Sequence, residues 1–154
     1  MDEESRVSIN PPMFDKNKFF FIASIKLGVQ FRSVVLAHMS NMVPIGKMDL
    51  GYRTIGERMS DNSMLSLIKG HNLFTPDELA GVLYFGLVIS MGDRGLLRKN
   101  GKRNTFYVDI DGRIFATYAY FDKSEGVNGI WHLGANLIDD KVRSHKDRRL
   151  IYKV

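Results

Sequence analysis

The chain has 154 residues, no cysteine and a formal net charge of +5, with 44% hydrophobic and 25% charged residues. This balance is typical of one folded domain, and the lack of cysteine excludes a disulfide framework, a thiol nucleophile and a cysteine-based zinc site. The longest uncharged run, Leu79 to Gly92, has 14 residues, fewer than the roughly 20 of a spanning helix. The acidic start does not resemble a signal peptide, so we expect an intracellular protein that is neither secreted nor membrane-spanning.

The N-terminal residues divide into an arm and a strand. Residues 1–18 are polar, contain Pro11-Pro12 and show neither helical nor strand periodicity, which predicts a mobile arm. From Phe19 to Leu27 every second residue is apolar, which predicts a strand with one apolar face. We expect residues 19–154 to form a single globular domain whose last segment, 141–154, is basic.

Helical signals occupy the middle of the chain. The apolar spacing in residues 31–39 favours a helix, and residues 62–69 predict a second one. The segment Thr75-Pro76-Asp77-Glu78 has the capping-box pattern of a helix start. The run that follows, residues 79–91, is apolar on all sides and therefore predicts a helix buried at the centre of the domain.

The next elements form a hairpin. Two β-rich runs within residues 105–121 flank Asp111-Gly112, a dipeptide that favours a two-residue type I′ turn. A third strand is predicted over residues 130–138 and would complete an antiparallel meander. We therefore expect an α+β fold, in which a small antiparallel sheet, made of this meander and the Phe-rich N-terminal strand, packs on the buried helix.

Positive charge is concentrated in two segments. Residues 94–103 and 141–153 each carry a charge of +5, so the rest of the chain sums to −5. Two concentrated patches produce a local field that a scattered charge would not, which predicts an anionic partner. The C-terminal patch is open to interpretation as a basic helix or a flexible arm. The predicted contact residues are Arg94, Arg98, Lys99, Lys102, Arg103, Arg143, Lys146, Arg148 and Arg149.

Tyrosines could extend this surface. A two-residue turn would place Tyr107, Tyr118 and Tyr120 on one face of the sheet, opposite the phenylalanines. Beside the first basic patch these rings have the components of a platform for single-stranded nucleic acid, because bases stack on aromatic rings while cations hold phosphates. Ordinary sheets also carry such tyrosines, so the pattern alone does not decide between the two interpretations.

Catalytic alternatives have weaker support. Asp109 and Asp111, with Asp139-Asp140, could gather a divalent metal for nuclease chemistry, although turn formation explains them more simply. His132 could act as the general base of a metal-independent ribonuclease. The sequence contains none of the usual phosphate-loop, nucleophile-elbow or zinc-protease motifs. We therefore expect no metal, no cofactor and no enzymatic activity, with a nuclease that uses His132, Asp109 and Asp111 as the alternative.

Three short segments resemble the matrix proteins of rhabdoviruses. They are Lys18-Phe19-Phe20-Phe21 with Phe31-Arg32, the run from Leu83 to Ile89, and Pro11-Pro12-Met13-Phe14. The last is similar to the Pro-Pro-x-Tyr peptide that recruits budding machinery, with Phe14 in place of the tyrosine. The resemblance implies a non-enzymatic protein with a basic surface for nucleoprotein and acidic lipid, self-association, and a place in the host cytoplasm and at the inner face of the virion envelope.

Together these patterns predict a basic structural or adaptor protein that binds anionic surfaces. The expected partners are nucleic acid or nucleoprotein, an acidic membrane surface and a second copy of the chain. A dedicated single-strand binder and a small ribonuclease remain as alternatives.

Overall fold

The computed structural model describes residues 4–44, 46–68, 73–89, 95–143 and 145–154. Within these residues, seven strands form one mixed sheet in the order β1-β5-β9-β6-β7-β8-β3, and β2 pairs with β4 in a second, two-stranded sheet. The strands are β1 (Ser5–Ile9), β2 (Phe14–Asp15), β3 (Ile25–Leu27), β4 (Met42–Val43), β5 (Met48–Ile55), β6 (Asn104–Ile110), β7 (Arg113–Asp122), β8 (Ile130–Leu137) and β9 (Arg148–Lys153).

The predicted α+β class is confirmed, but the prediction of a small antiparallel sheet is wrong. Strand β3 runs parallel to β8, and β6 runs parallel to β9, so the sheet is mixed. Its larger size comes from β1, β5 and β9, which the sequence did not predict as strands.

Residues 5–18, expected to belong to a mobile arm, contribute ordered elements. Strand β1 pairs antiparallel with β5 at the edge of the large sheet. Phe14 is buried, and its ring stacks on that of Tyr84 with 4.4 Å between the ring centroids. Backbone pairing and aromatic burial together hold this segment on the domain.

The Phe-rich segment is mainly helical rather than a strand. Helix α1 spans Lys16–Phe20, and the side chain of Asp15 caps it by accepting hydrogen bonds from the backbone N–H groups of Asn17 and Lys18. The neighbouring rings of Phe19 and Phe20 are both buried, which a helix turn allows but a strand with only one buried face does not. Only Ile25–Leu27 of the predicted strand pairs with the sheet.

The central helix begins as the sequence predicts. Helix α3 (Pro76–Tyr84) has Thr75 as its N-cap, and Thr75 and Glu78 exchange both capping-box hydrogen bonds. A π-helical turn, Phe85–Ile89, continues it. Leu79, Val82 and Leu83 are buried in the main core, which confirms the buried helix as far as the described residues extend.

The other helices lie on both faces of the sheet. Residues 31–39 contain a π-helical turn, Phe31–Val35, followed by a 3₁₀ turn, Leu36–His38. These turns, α1 and α3 supply the main core on one face, which we call the helix face. Helix α2 (Asp61–Ile68) confirms the second predicted helix and packs a smaller core on the opposite face. No helix in the described ranges is long and apolar enough to span a bilayer.

The predicted hairpin is confirmed. Asp111 and Gly112 form the two-residue turn between β6 and β7 with φ angles of 53° and 81°. A type I′ turn needs positive φ at both positions, which aspartate tolerates and glycine favours. Strand β8 then pairs antiparallel with β7, which completes the predicted meander.

The C-terminal basic segment ends as a strand rather than as a helix or a flexible arm. Strand β9 lies in the interior of the sheet between β5 and β6. Leu150, Ile151 and Tyr152 are all buried, because a central strand is covered on both faces. This burial explains why consecutive apolar residues follow the arginines.

Candidate nucleic-acid interface

The two basic segments meet because β6 and β9 run parallel. Asn104 pairs with Arg149, and the Arg149 N–H donates to the carbonyl oxygen of Arg103 at 2.9 Å. Lys102 and Arg103 directly precede β6, and Arg148 and Arg149 are the first two residues of β9, so these cations gather at the same end of the sheet. Cations of both patches therefore lie close together at this end of the sheet.

Strand alternation sends the cations to different faces. Arg103 and Arg148 precede the paired residues and share a face with Thr105 and Tyr118. Arg149 belongs to the helix face, where its guanidinium donates to the carbonyl oxygens of Gly95 and Leu96 at 3.1 and 2.9 Å. Arg149, a predicted contact residue, thus has a structural role.

A row of flat groups lies on the face opposite the helix face. The guanidinium carbon of Arg103 lies 3.8 Å from the centroid of the Tyr118 ring and 5.9 Å from that of Tyr120. The Tyr120 ring stacks on His132 at 4.8 Å with an interplanar angle of 4°. Tyr118, Tyr120 and His132 are partly exposed. We call these four residues the platform.

The position of the Tyr118 ring depends on a glycine in β8. Gly134 pairs with Tyr118, and a Cβ atom at Gly134 would lie 2.2 Å from the ring's Cζ atom. Such a contact is far shorter than carbon atoms tolerate. The ring therefore lies directly over the backbone of β8 because residue 134 has no side chain.

A cavity of about 150 Å³ opens beside the platform. We call it the arginine cavity. Its lining includes Arg103, Thr105, Tyr118, Asn136, Arg143, His145 and Arg148, with Asp61 and Ala116. The Arg143 guanidinium lies 3.3 Å from an Asp61 carboxylate oxygen and 3.0 Å from one of Asp139.

The cations of this region perturb one another. Burial lowers the pKa of His145, and the nearby charges of Arg103, Arg148 and Arg143 lower it further. Burial also lowers the pKa of Arg103 and of Arg148, although guanidinium groups keep their charge at neutral pH. An anion placed here would offset this mutual repulsion.

A shallow groove continues from the platform. It is lined by Arg58, Lys102, Arg103, His145 and Lys146, with Gly101, Tyr120 and Asp147. We call it the basic groove. Of its cations, Lys102, Arg103 and Lys146 were predicted from the sequence, and both original patches contribute to it.

Two of the remaining predicted cations, Lys99 and Arg98, make contacts outside the platform. The Lys99 ammonium lies 4.5 Å from the centroid of the Phe121 ring. The Arg98 guanidinium donates to the carbonyl oxygen of Asp147, and its backbone N–H donates to Asn104. Arg94 lies outside the described residues.

Tyr107 does not belong to the platform. The predicted face is correct, but Tyr107 is 1% exposed because α2 covers this part of it. Its hydroxyl donates to Asp61 at 2.9 Å. Burial and the charge of Asp61 raise the pKa of Tyr107, so the hydroxyl stays protonated. A ligand cannot stack on the ring because the ring is buried.

The three residues of the nuclease alternative are not brought together. Asp109 accepts a hydrogen bond from the Gly112 N–H in the hairpin turn, and Asp111 contacts His38 at 3.2 Å. His132 pairs with Tyr120, whereas Asp109 pairs with Ile114. Ile114 and Tyr120 are six positions apart on β7, which corresponds to about 20 Å at ~3.3 Å per residue.

One group of potential metal ligands occurs among the described residues. Asp122, Glu125 and His132 each place a ligand atom within 4.8 Å of the others. Contacts inside the protein account for these atoms, since Asp122 accepts hydrogen bonds from Ser124 and Glu125 lies 3.0 Å from His132. The predicted cluster of Asp109 and Asp111 with Asp139 and Asp140 does not form such a group.

Sequence reasoning missed several residues of this surface. Arg58 and His145 line the basic groove, whereas Gly134 and Asn136 lie beside the platform and the arginine cavity. The alternation in β8 carried a signal, because His132, Gly134 and Asn136 occupy one face while Trp131, Leu133 and Ala135 are buried on the other.

Comparison with known proteins supplies no family for this chain. No protein-family model matches it, and no curated protein or solved structure is significantly similar to it. The resemblance to rhabdovirus matrix proteins therefore stays a prediction. In the peptide Pro11-Pro12-Met13-Phe14, the buried Pro11 and Phe14 are not presented for recruitment in this conformation.

Proposed function

We propose that the protein is a non-catalytic binder of single-stranded nucleic acid and that its contact surface consists of the platform, the basic groove and the arginine cavity. The observation that carries the proposal is the parallel pairing of β6 with β9, which unites two basic segments beside stacked aromatic rings. Cations attract the phosphate backbone, and exposed rings accept unpaired bases.

The arrangement suits a single strand better than a duplex. Tyr118, Tyr120 and His132 offer ring surface, and bases stack on such rings only when they are unpaired. The adjoining Arg103 offers both a charge for phosphate and a planar group for stacking. Stacking depends little on base identity, so we expect weak sequence preference.

The salt dependence of RNA binding tests the proposal. Fluorescence anisotropy of a labelled uridine-rich RNA, measured from about 50 to 200 mM salt, gives the slope of log affinity against log salt concentration. Replacing Lys102 by Gln in the basic groove should weaken binding and reduce the magnitude of this slope by about 0.7, because one fewer phosphate contact releases counterions.

Lys18→Gln is the matched control. Lys18 is exposed on α1, which packs on the helix face, so the variant loses the same charge at a distance from the proposed surface. Equal slopes in the wild type and in Lys102→Gln would contradict the proposal. RNA recovered intact after incubation with and without magnesium separates a binder from a nuclease.

The broader expectation of an adaptor between nucleoprotein and acidic lipid remains a proposal. It predicts that vesicles rich in phosphatidylserine displace bound RNA, because both ligands would use the same cations. RNA that stays bound in the presence of these vesicles would favour a dedicated nucleic-acid protein. Association with a second copy also stays a prediction.

A further inference from the structure

The arginine cavity contains a buried cation without a carboxylate partner. Arg148 is 3% exposed, and its terminal nitrogen donates to the carbonyl oxygen of Met59 at 3.0 Å. Its Nε atom is buried without a hydrogen-bond partner, and no carboxylate of the described residues lies within 4.0 Å of the guanidinium. A buried charge in this state is costly unless a ligand compensates it.

The charges that line the cavity indicate which ligand would compensate it. Of the three arginines in its lining, Arg143 pairs with the carboxylates of Asp61 and Asp139. Arg103 and Arg148 have no carboxylate of the described residues within 4.0 Å, which leaves two positive charges unpaired. A phosphate monoester carries a charge of about −1.5 to −2 at neutral pH and offers three acceptor oxygens. An internal phosphodiester carries only one negative charge.

The shape of the cavity also favours the end of a strand. Its volume of about 150 Å³ has room for a phosphate group or a few water molecules. Tyr118 lines one side, and Asp61, the first residue of α2, lines another. The cavity is therefore bounded by the platform on one side and by the start of α2 on another.

We propose that the arginine cavity binds the terminal phosphate monoester of a single-stranded nucleic acid, while the adjoining base stacks on the platform. Guanidinium groups suit this role because they form paired, charge-assisted hydrogen bonds with phosphate oxygens. Asn136 and Thr105 supply further polar groups in the lining. This inference rests on the proposed function and adds the chemical group that the surface selects.

The test compares three oligonucleotides of one sequence, with a 5′-phosphate, a 3′-phosphate or hydroxyl groups at both ends. At about pH 7.5 the monoester is mostly dianionic. The wild type should bind one phosphorylated form about tenfold more tightly than the hydroxyl form. Millimolar inorganic phosphate should reduce the tighter binding of the phosphorylated form, because free phosphate would occupy the cavity but has no base to stack on the platform.

Asn136→Asp is the decisive variant. It places a carboxylate of nearly the same shape in the cavity lining, and Asn136 is exposed, so the fold should persist. The new charge should abolish the preference for the phosphorylated strand. Asn17→Asp makes the same change at an exposed residue of α1 on the helix face, and this matched control should keep the preference.

The outcomes separate this inference from the proposed function. Equal binding of all three oligonucleotides by the wild type would overturn the terminal-phosphate inference and leave the single-strand binder intact. If Asn136→Asp still prefers the phosphorylated oligonucleotide, the phosphate is recognised outside the arginine cavity, and the terminal-phosphate inference is again overturned. Failure of every oligonucleotide to bind would reject the proposed function itself.

Discussion

Replacing Tyr107 by Phe isolates the buried hydrogen bond between β6 and α2. The Tyr107 hydroxyl donates to an Asp61 oxygen, and Asp61 is 2% exposed. Phenylalanine fills nearly the same volume, so no cavity cost adds to the lost bond. The other Asp61 oxygen still accepts hydrogen bonds from Arg143 at 3.3 Å and from the Asp139 N–H at 3.4 Å.

The magnitude follows from the charge of the acceptor. A hydrogen bond to a charged group contributes about 1.5–3 kcal/mol to the free energy of unfolding. For a domain of this size, each kcal/mol lowers Tm by roughly 2–4 °C, so we expect a decrease of roughly 3–12 °C. The RNA affinity of the folded variant should not change, because Tyr107 lies beneath α2.

Urea unfolding measures this loss through the fluorescence of Trp131, the single tryptophan, which is buried. Tyr120→Phe is the matched control, since this ring is partly exposed on the platform. Its unfolding free energy should change by less than about 0.5 kcal/mol. A loss below this level in Tyr107→Phe would refute the idea that Asp61 depends on the hydroxyl.

Two further substitutions test the cap of α3 and the platform. Glu78→Gln should lower the free energy of unfolding by about 1 kcal/mol. Burial raises the pKa of Glu78, but the hydrogen bonds from Thr75 and Lys153 together have the larger effect, so the pKa is lowered overall. The Glu78 carboxylate therefore contributes its full stabilisation above the unfolded pKa of 4.5, and this contribution is lost as the pH falls through the lower folded pKa. The free energies of unfolding of wild type and variant, measured by urea titration, should therefore converge in acid. Gly134→Ala should push the Tyr118 ring from its place and weaken RNA binding by roughly 5- to 150-fold, the range for one lost stacking contact. Gly46→Ala is the control, because its Cβ would meet open space, and it should leave the RNA affinity measured by anisotropy unchanged. Equal RNA affinities of Gly134→Ala and Gly46→Ala would contradict the role of Gly134.

Local signals in the sequence predicted the local elements. Thr75 and Glu78 cap α3, and Asp111-Gly112 forms the hairpin turn, because each pattern acts within a few residues. Strand β1 was missed because its apolar alternation consists of Val7 and Ile9 alone, too short a pattern to indicate a strand, and its hydrogen bonds depend on β5.

The candidate site was predictable only in part. Alternation assigned Tyr107 and Tyr118 to one face, but it could not show that α2 covers the first and leaves the second accessible. The charges of the two basic segments could be read from the sequence. Their proximity in the fold could not, because it depends on the pairing of Asn104 with Arg149, two residues that are far apart in the chain. Contacts of this kind leave no periodicity in the sequence.

The interior position of β9 has a consequence for the order of synthesis. Residues 148–153 separate β1-β5 from β6-β7-β8-β3, so the sheet stays in two parts until they leave the ribosome. Meanwhile β5 and β6 each expose an unpaired edge, which other chains could engage. Because Arg148 arrives with this strand, the arginine cavity is completed in the same step that joins the sheet.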